Sequence, residues 1–241
     1  MRKKKTLVLA GFCLLLAAAI ITGLVLMVKH EPTFYGRADV PPGKDRKDLS
    51  TAFVSLFSSL INNWIDGPVK GDWDIAFSES QLNSYFAEDA LPHGLTEALA
   101  AQGISDPRIV MDDNKLRLAF RYGTTPWSTI LSYDLKLWLA PKDVNVVCIE
   151  ILGRHAGALP IATQSLLNEI SDMAGRHGIE VTWYRQKGNP VALVRFQTDR
   201  SRPPAQLRRL DVKPGLISIG GLSQEPLLTN NEKKALTPVA N

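Results

Sequence analysis

The run Phe77-Ser-Glu-Ser-Gln-Leu-Asn-Ser-Tyr-Phe86 places a hydroxyl (Ser78), a carboxylate (Glu79) and a carboxamide (Asn83) close together in the chain. A turn that aimed them at one point could assemble a nucleophile, a base and a hydrogen-bond donor for a developing oxyanion. Their spacing favours a structural reading. Trp73, Ile75 and Phe77 alternate with Asp74 and Ala76 as in a strand, and Ser78 stands three residues before Gln81. That is the capping-box interval, in which each side chain satisfies a backbone N–H left open at a helix start. Glu79 then falls in the first turn, where its charge suits the helix dipole. Leu82, Tyr85 and Phe86 supply the inward face. Asn83 is left over. It borders Leu82 and Phe86 on the helix wheel, and it either bonds a strand backbone or faces a ligand.

Other chemistry finds little footing. No Gly-x-Ser-x-Gly run occurs, and Gly215 to Gly221 has the wrong spacing and ending for a phosphate-binding loop. His30, His93, His155 and His177 each lack a second ligand at helical or strand spacing, so no metal or other cofactor is expected. A pairing of Cys148 with His155 is conceivable, but a mid-strand Cys148 needs no role beyond packing. Glu88-Asp89 ends a helix and Asp112-Asp113 sits in a turn, which makes both acid pairs solvated surface. No reaction is assigned, and the expectation is a protein that is not an enzyme.

Charge is more informative by position than by sum. The chain has 241 residues and a formal charge of +4, yet Arg2, Lys3, Lys4, Lys5 and Lys29 all precede the first acid, Glu31. The remaining 23 Lys and Arg face 24 Asp and Glu, a net of −1, so nucleic acid is not an expected partner. Between the basic groups, residues 6–28 carry no charge. A helix of that length spans the roughly 30 Å hydrocarbon layer with some tilt. The run exceeds a signal-peptide core and ends in Leu26-Met27-Val28-Lys29-His30 without an A-x-A site, so it reads as an uncleaved anchor. Basic residues stay on the cytoplasmic side, which puts residues 1–5 inside and the main domain outside the cell membrane. Cys13 and Cys148, one in the span and one in the domain, cannot pair within one chain. Ala19 and Gly23 have the small-xxx-small spacing that lets two such helices approach as a homodimer.

The elements beyond the anchor follow from periodicity. Residues 29–47, rich in Pro, Gly and charge, read as a stalk. From Asp48, with Asp48 or Ser50 as cap, Phe53, Leu56, Phe57, Leu60, Ile61 and Trp64 form one apolar helical face ended by Gly67-Pro68. After residue 106 the period becomes two: Arg108–Met111, Lys115–Tyr122, residues 131–139 and Val144–Leu152 make an antiparallel meander. Gly153–Pro160 breaks it and leads to a helix over 161–177. Strands over 179–185 and 190–197 follow, joined at Gly188-Asn189, then a hairpin around Lys213-Pro214-Gly215. This predicts an α+β domain over 48–221, an antiparallel sheet packed against about three amphipathic helices, with a disordered tail over 222–241.

The order of these elements resembles the YpmS-like family of membrane-anchored, functionally uncharacterised bacterial extracytoplasmic proteins. The resemblance rests on the single N-terminal anchor, the Leu82-Asn83 pair, the Gly157-Ala158-Leu159-Pro160 link and the closing Leu210-Asp211-Val212-Lys213-Pro214-Gly215-Leu216, over roughly residues 1–220. The proline-rich stalk and long tail depart from it. It implies an exported, anchored domain and carries over no catalytic residue.

Two functions fit these features. One is a non-enzymatic scaffold that binds a protein partner in the cell envelope. The alternative is a binding module for a lipid or other amphipathic ligand held in an apolar cleft, with Asn83, Tyr85, Trp138 and Leu159 as contacts and Trp64 and Phe86 beside them. Residues 185–241 hold ten bases against four acids, so Arg200, Arg202, Arg208 and Arg209 are candidates for contact with anionic headgroups.

Overall fold

A computed structural model describes residues 2–65, 71–88, 99–162, 167, 171, 174–175, 180–195 and 205–223, with 2–10 and 62–65 described by backbone alone. Helix α1 runs Arg2–Lys29. It is long and apolar enough to cross a membrane, and its apolar stretch is not buried by the rest of the protein. Side chains this greasy, left uncovered, call for an apolar solvent.

Past Lys29 the chain differs from expectation. Residues 29–47 are not a free spacer: α2 forms over Thr33–Arg37 and α3 begins at Lys44 and runs to Ile65. Tyr35, at 0% exposure, packs with Ala119 and Ile130, and Phe34 lies against the same cluster. The reason is aromatic. Phe34 and Tyr35 give an otherwise polar segment enough apolar surface to dock, and the basic residues they meet favour ring faces. The Arg108 guanidinium sits 4.3 Å from the Tyr35 ring centre and that of Arg117 4.3 Å from Phe34. Because α3 starts early, Asp48 and Ser50 lie inside it rather than capping it. Asp45 occupies its first turn, and Ser50 is fully buried.

The α+β class holds, with two antiparallel sheets where one was expected. Strands β1 (Gly71–Ser78), β9 (Ala205–Lys213) and β10 (Leu216–Ser223) form a three-stranded sheet in the order β1-β10-β9. The larger sheet contains β2 (Ile104–Asp112), β3 (Lys115–Tyr122), β4 (Thr129–Leu139), β5 (Val146–Ala156), β6 (Leu159–Pro160), β7 (Glu180–Gln186) and β8 (Asn189–Arg195). Its order is β2-β3-β4-β5-β8-β7, with β6 on the end of β5. Gly153–Pro160 therefore continues the sheet rather than breaking it. The turn between β7 and β8 falls at Lys187-Gly188, both at positive φ, one residue before the expected place. The expected helix over 161–177 is described only at isolated positions. The tail lies outside the described residues apart from Leu222 and Ser223, which finish β10.

Helix α4 (Glu79–Glu88) and α3 cover the smaller sheet. Phe53, Ile75 and Phe77 are its buried centre, with Leu56, Leu82, Tyr85, Ile217 and Ile219 around them. Phe57 and Ile61, expected inward, remain 46% and 36% exposed. The stripe on α3 is wider than the sheet beneath it, and Phe57 stacks on Phe53 at the border, ring centres 5.7 Å apart.

One glycine is dictated by close approach. The β9–β10 register slips between Gly220 and Gly221, and the indole of Trp73 and the Gln206 carbonyl close over Gly221 so tightly that a Cβ would collide with both. Overpacking of this kind costs about 1–3 kcal/mol or more. Gly221→Val is expected to lower thermal stability by at least the upper part of that range, read from melting of the purified protein. An unchanged melting curve would show that Trp73 moves freely.

Candidate functional site

The capping box forms as the spacing required: Ser78 N–H donates to Gln81 Oε1 (2.8 Å) and Gln81 N–H to Ser78 Oγ (3.1 Å). The next turn of α4 decides between the two roles of Asn83. Its Nδ2 donates to the Ile109 carbonyl (2.8 Å), and its Oδ1 accepts from the Ile109 N–H (2.8 Å). Glu79 Oε2 accepts from the Met111 N–H (2.7 Å). Strand β2 is the outer strand of the large sheet, so these backbone groups would otherwise be an open edge. Helix α4 closes that edge with side chains. The same device recurs at Asn145, whose Nδ2 donates to the Ala205 carbonyl and whose Oδ1 accepts from the Leu207 N–H, each at 2.8 Å.

Beside α4 lies a cavity of about 330 Å³ whose wall includes Asp39, Arg46, Asn83, Phe86, Leu99 and Arg108. Its cations are engaged. Arg46 pairs with Glu88 at 2.5 Å, and Arg108 pairs with Asp39 at 2.9 Å while donating to the Tyr35 carbonyl at 2.8 Å. An anionic ligand would have to compete with those carboxylates.

The remaining candidates are not gathered into one cleft. Tyr85 packs on Phe53, ring centres 4.7 Å apart. Trp138 sits in β4 opposite Cys148, and Leu159 in β6 opposite Ala156. The Trp64 side chain, Arg200 and Arg202 lie outside the described residues. Arg208 and Arg209 do not form the free basic face expected of them. Arg208 approaches Asp72 at 3.6 Å, while Arg209 pairs with Asp74 and lies 3.4 Å from Asp211. Asp72 and Asp74 in β1 and Arg208 and Arg209 in β9, remote in sequence, belong to one sheet, and Gly220 between them offers no side chain to obstruct Arg209.

Cys148 and His155 stand seven positions apart on the single strand β5, on the order of 20 Å at strand rise, and cannot form a pair. Burial pushes the Cys148 thiol up, partly opposed by a hydrogen bond with Tyr184, which leaves it a poor nucleophile at neutral pH. Asp134 goes the other way. Burial would raise it, but hydrogen bonds and charge from Arg117 (2.7 Å) and Lys115 (2.9 Å) outweigh that and hold its carboxyl below the usual range. Among the described residues, no three His, Cys, Asp or Glu side chains gather as a metal site.

The feature that sequence reasoning missed is the joint between α1 and the domain. The last turn of a helix leaves carbonyls without intrahelical partners. Here the domain supplies them: Ala158 N–H donates to the Met27 carbonyl (2.9 Å) and Thr129 Oγ1 to the Val28 carbonyl (2.5 Å). Gly157, at φ 58°, lies so close to both carbonyls that no side chain fits. Lys29 sits over the Trp127 ring at 5.4 Å. The adjacent aromatics Phe34 and Tyr35 were the available signal, since a solvated spacer has little use for them.

Tyr35 reports on this joint. Its hydroxyl donates to the Asp106 carbonyl (2.8 Å), and burial pushes its pKa from 10.0 up to about 12, with Arg108 opposing. The folded state thus prefers neutral Tyr35. Its stabilising contribution is complete below pH 10 and is lost as pH rises through about 12. In a titration of tyrosinate absorbance, Tyr35 should ionise last, after Tyr184, which burial also raises, and Tyr35→Phe should delete that last step. Survival of that last step after the substitution would assign it elsewhere.

No protein-family model, curated protein or solved structure matches the chain.

Proposed function

We propose that the chain is a single-pass, membrane-anchored extracytoplasmic protein that acts as a non-enzymatic scaffold, binding a protein partner in the cell envelope. The observation that carries this reading is the joint itself. Helix α1 enters the domain through hydrogen bonds that the Met27 and Val28 carbonyls accept from Ala158 N–H and Thr129 Oγ1, and the chain continues into the docked α2. A domain mounted this way is presented at a fixed attitude, which suits a platform more than a tethered catalyst free to search. Residues 2–5 support the orientation, with the domain outside. The face of α1 around Gly23 has open space, room for a second copy of the helix. The reading agrees with the YpmS-like resemblance.

A second reading, a module for a lipid or other amphipathic ligand, draws on the 330 Å³ cavity, whose wall mixes Phe86 and Leu99 with Arg46 and Arg108. One preparation separates the two. Full-length protein taken from native membranes in mild detergent should retain one or more proteins in constant ratio, seen by native mass spectrometry. Stoichiometric lipid without protein would favour the second reading, and recovery of the bare chain would count against both. Protease added to intact spheroplasts should remove the domain; full protection would reverse the orientation.

A further inference from the structure

Beyond α1, the large apolar side chain most open to solvent among the described residues is Trp127, at 79% exposure. It sits in the loop between β3 and β4, and that loop is held in place. The Gly123 N–H donates to the Gly103 carbonyl (2.8 Å) and the Trp127 N–H to the Thr124 carbonyl (2.7 Å). A singly exposed apolar side chain is ordinary on a surface facing water; what sets Trp127 apart is where it sits.

Its position names the partner. Two residues on, Thr129 bonds the Val28 carbonyl, and Trp127 itself lies beneath Lys29, the first charge after the apolar span. If α1 crosses a bilayer, Lys29 marks the headgroup level, and Trp127 is fixed at that same level. Tyr122, 47% exposed, stands opposite Thr129 in the β3–β4 register and so belongs to this end of the sheet. Tryptophan and tyrosine favour this boundary because an apolar ring and a polar N–H or O–H are satisfied there together.

The geometry points to a second membrane contact: the β3–β4 loop, through Trp127, lies in the phospholipid headgroup–acyl boundary. It holds the end of the large sheet against the bilayer. This rests on the membrane-spanning reading of α1 and adds to it a lipid-facing surface on the domain.

The test uses the full chain reconstituted into phosphatidylcholine vesicles with or without bromine on the acyl chains near the headgroup. Wild type and Trp127→Phe are compared for lipid quenching and for quenching by aqueous acrylamide. Trp127 should supply a blue-shifted, bromolipid-quenched, acrylamide-shielded component that disappears in Trp127→Phe. An equal bromolipid signal in both proteins, or free access of acrylamide to Trp127, would overturn the proposal. Extraction of the vesicles at alkaline pH keeps the two levels apart. Protein that stays with the lipid while Trp127 is water-exposed refutes the loop contact alone, whereas protein released into solution refutes the anchor. Since the ring is so exposed, the substitution should leave the melting curve unchanged, and a shifted curve would mean that Trp127 packs within the domain rather than facing lipid.

Discussion

Asn83→Ala is expected to destabilise the domain by about 3 kcal/mol, a loss of two hydrogen bonds at roughly 1 kcal/mol each plus the cost of leaving Ile109 unsatisfied at the sheet edge. For a domain of this size, that corresponds to a melting temperature lower by about 10 °C. Two further variants sharpen the expectation. Asn83→Asp retains shape and acceptor but turns an oxygen toward the Ile109 carbonyl, so it should not rescue. Ser80→Ala, an exposed change on the same helix, should be nearly neutral. If Asn83→Ala melted within about 0.5 kcal/mol of wild type, the surface-substitution range, α4 would not be what seals β2.

Tyr35→Ala has the largest expected effect, about 3–5 kcal/mol by the measure of buried aromatic truncations. The loss combines the ring packed on Ala119 and Ile130, the hydrogen bond to Asp106, and the face that shelters Arg108. Tyr35→Phe keeps the ring and loses only the hydroxyl bond, so it should cost about 1 kcal/mol. The contrast matters more than either value. A free stalk would tolerate both changes equally, and equal melting of the two variants would return residues 29–47 to the role of a spacer.

What could be read from the chain was what depends on neighbours in sequence. The Ser78–Gln81 interval gave the start of α4, alternation gave β1 and the β2–β5 meander, and the charge-free run gave α1. Asn114 and Gly215 mark tight turns through local backbone conformation, and both turns were found. What escaped depends on pairings across long separations. No local pattern shows that Trp73 in β1 lies against Gly221 in β10, and this pairing splits the strands into two sheets. Nor could composition show that a Pro- and Gly-rich segment docks through two aromatics. The charge asymmetry was legible, but its resolution as Arg209–Asp74 pairing was not, because a run of like charges says nothing about which strand will lie beside it. Asn83 was recognised as the residue without a local task, and both ends of its amide proved to be spent on the backbone of β2.

The claim on which the rest depends is that the end of the apolar helix and the segment after it are built into the domain. Hydrogen exchange of the full chain in detergent micelles tests it directly, through the amides of Tyr35, Ala38, Gly157 and Ala158, which donate to the Pro32, Phe34, Ile130 and Met27 carbonyls. Slow exchange at all four, lost together in Tyr35→Ala at positions 35 and 38, is the predicted result. Exchange at the rate of an unstructured peptide in the wild-type protein would mean that the domain swings freely from its anchor, and the fixed mounting would have to be abandoned.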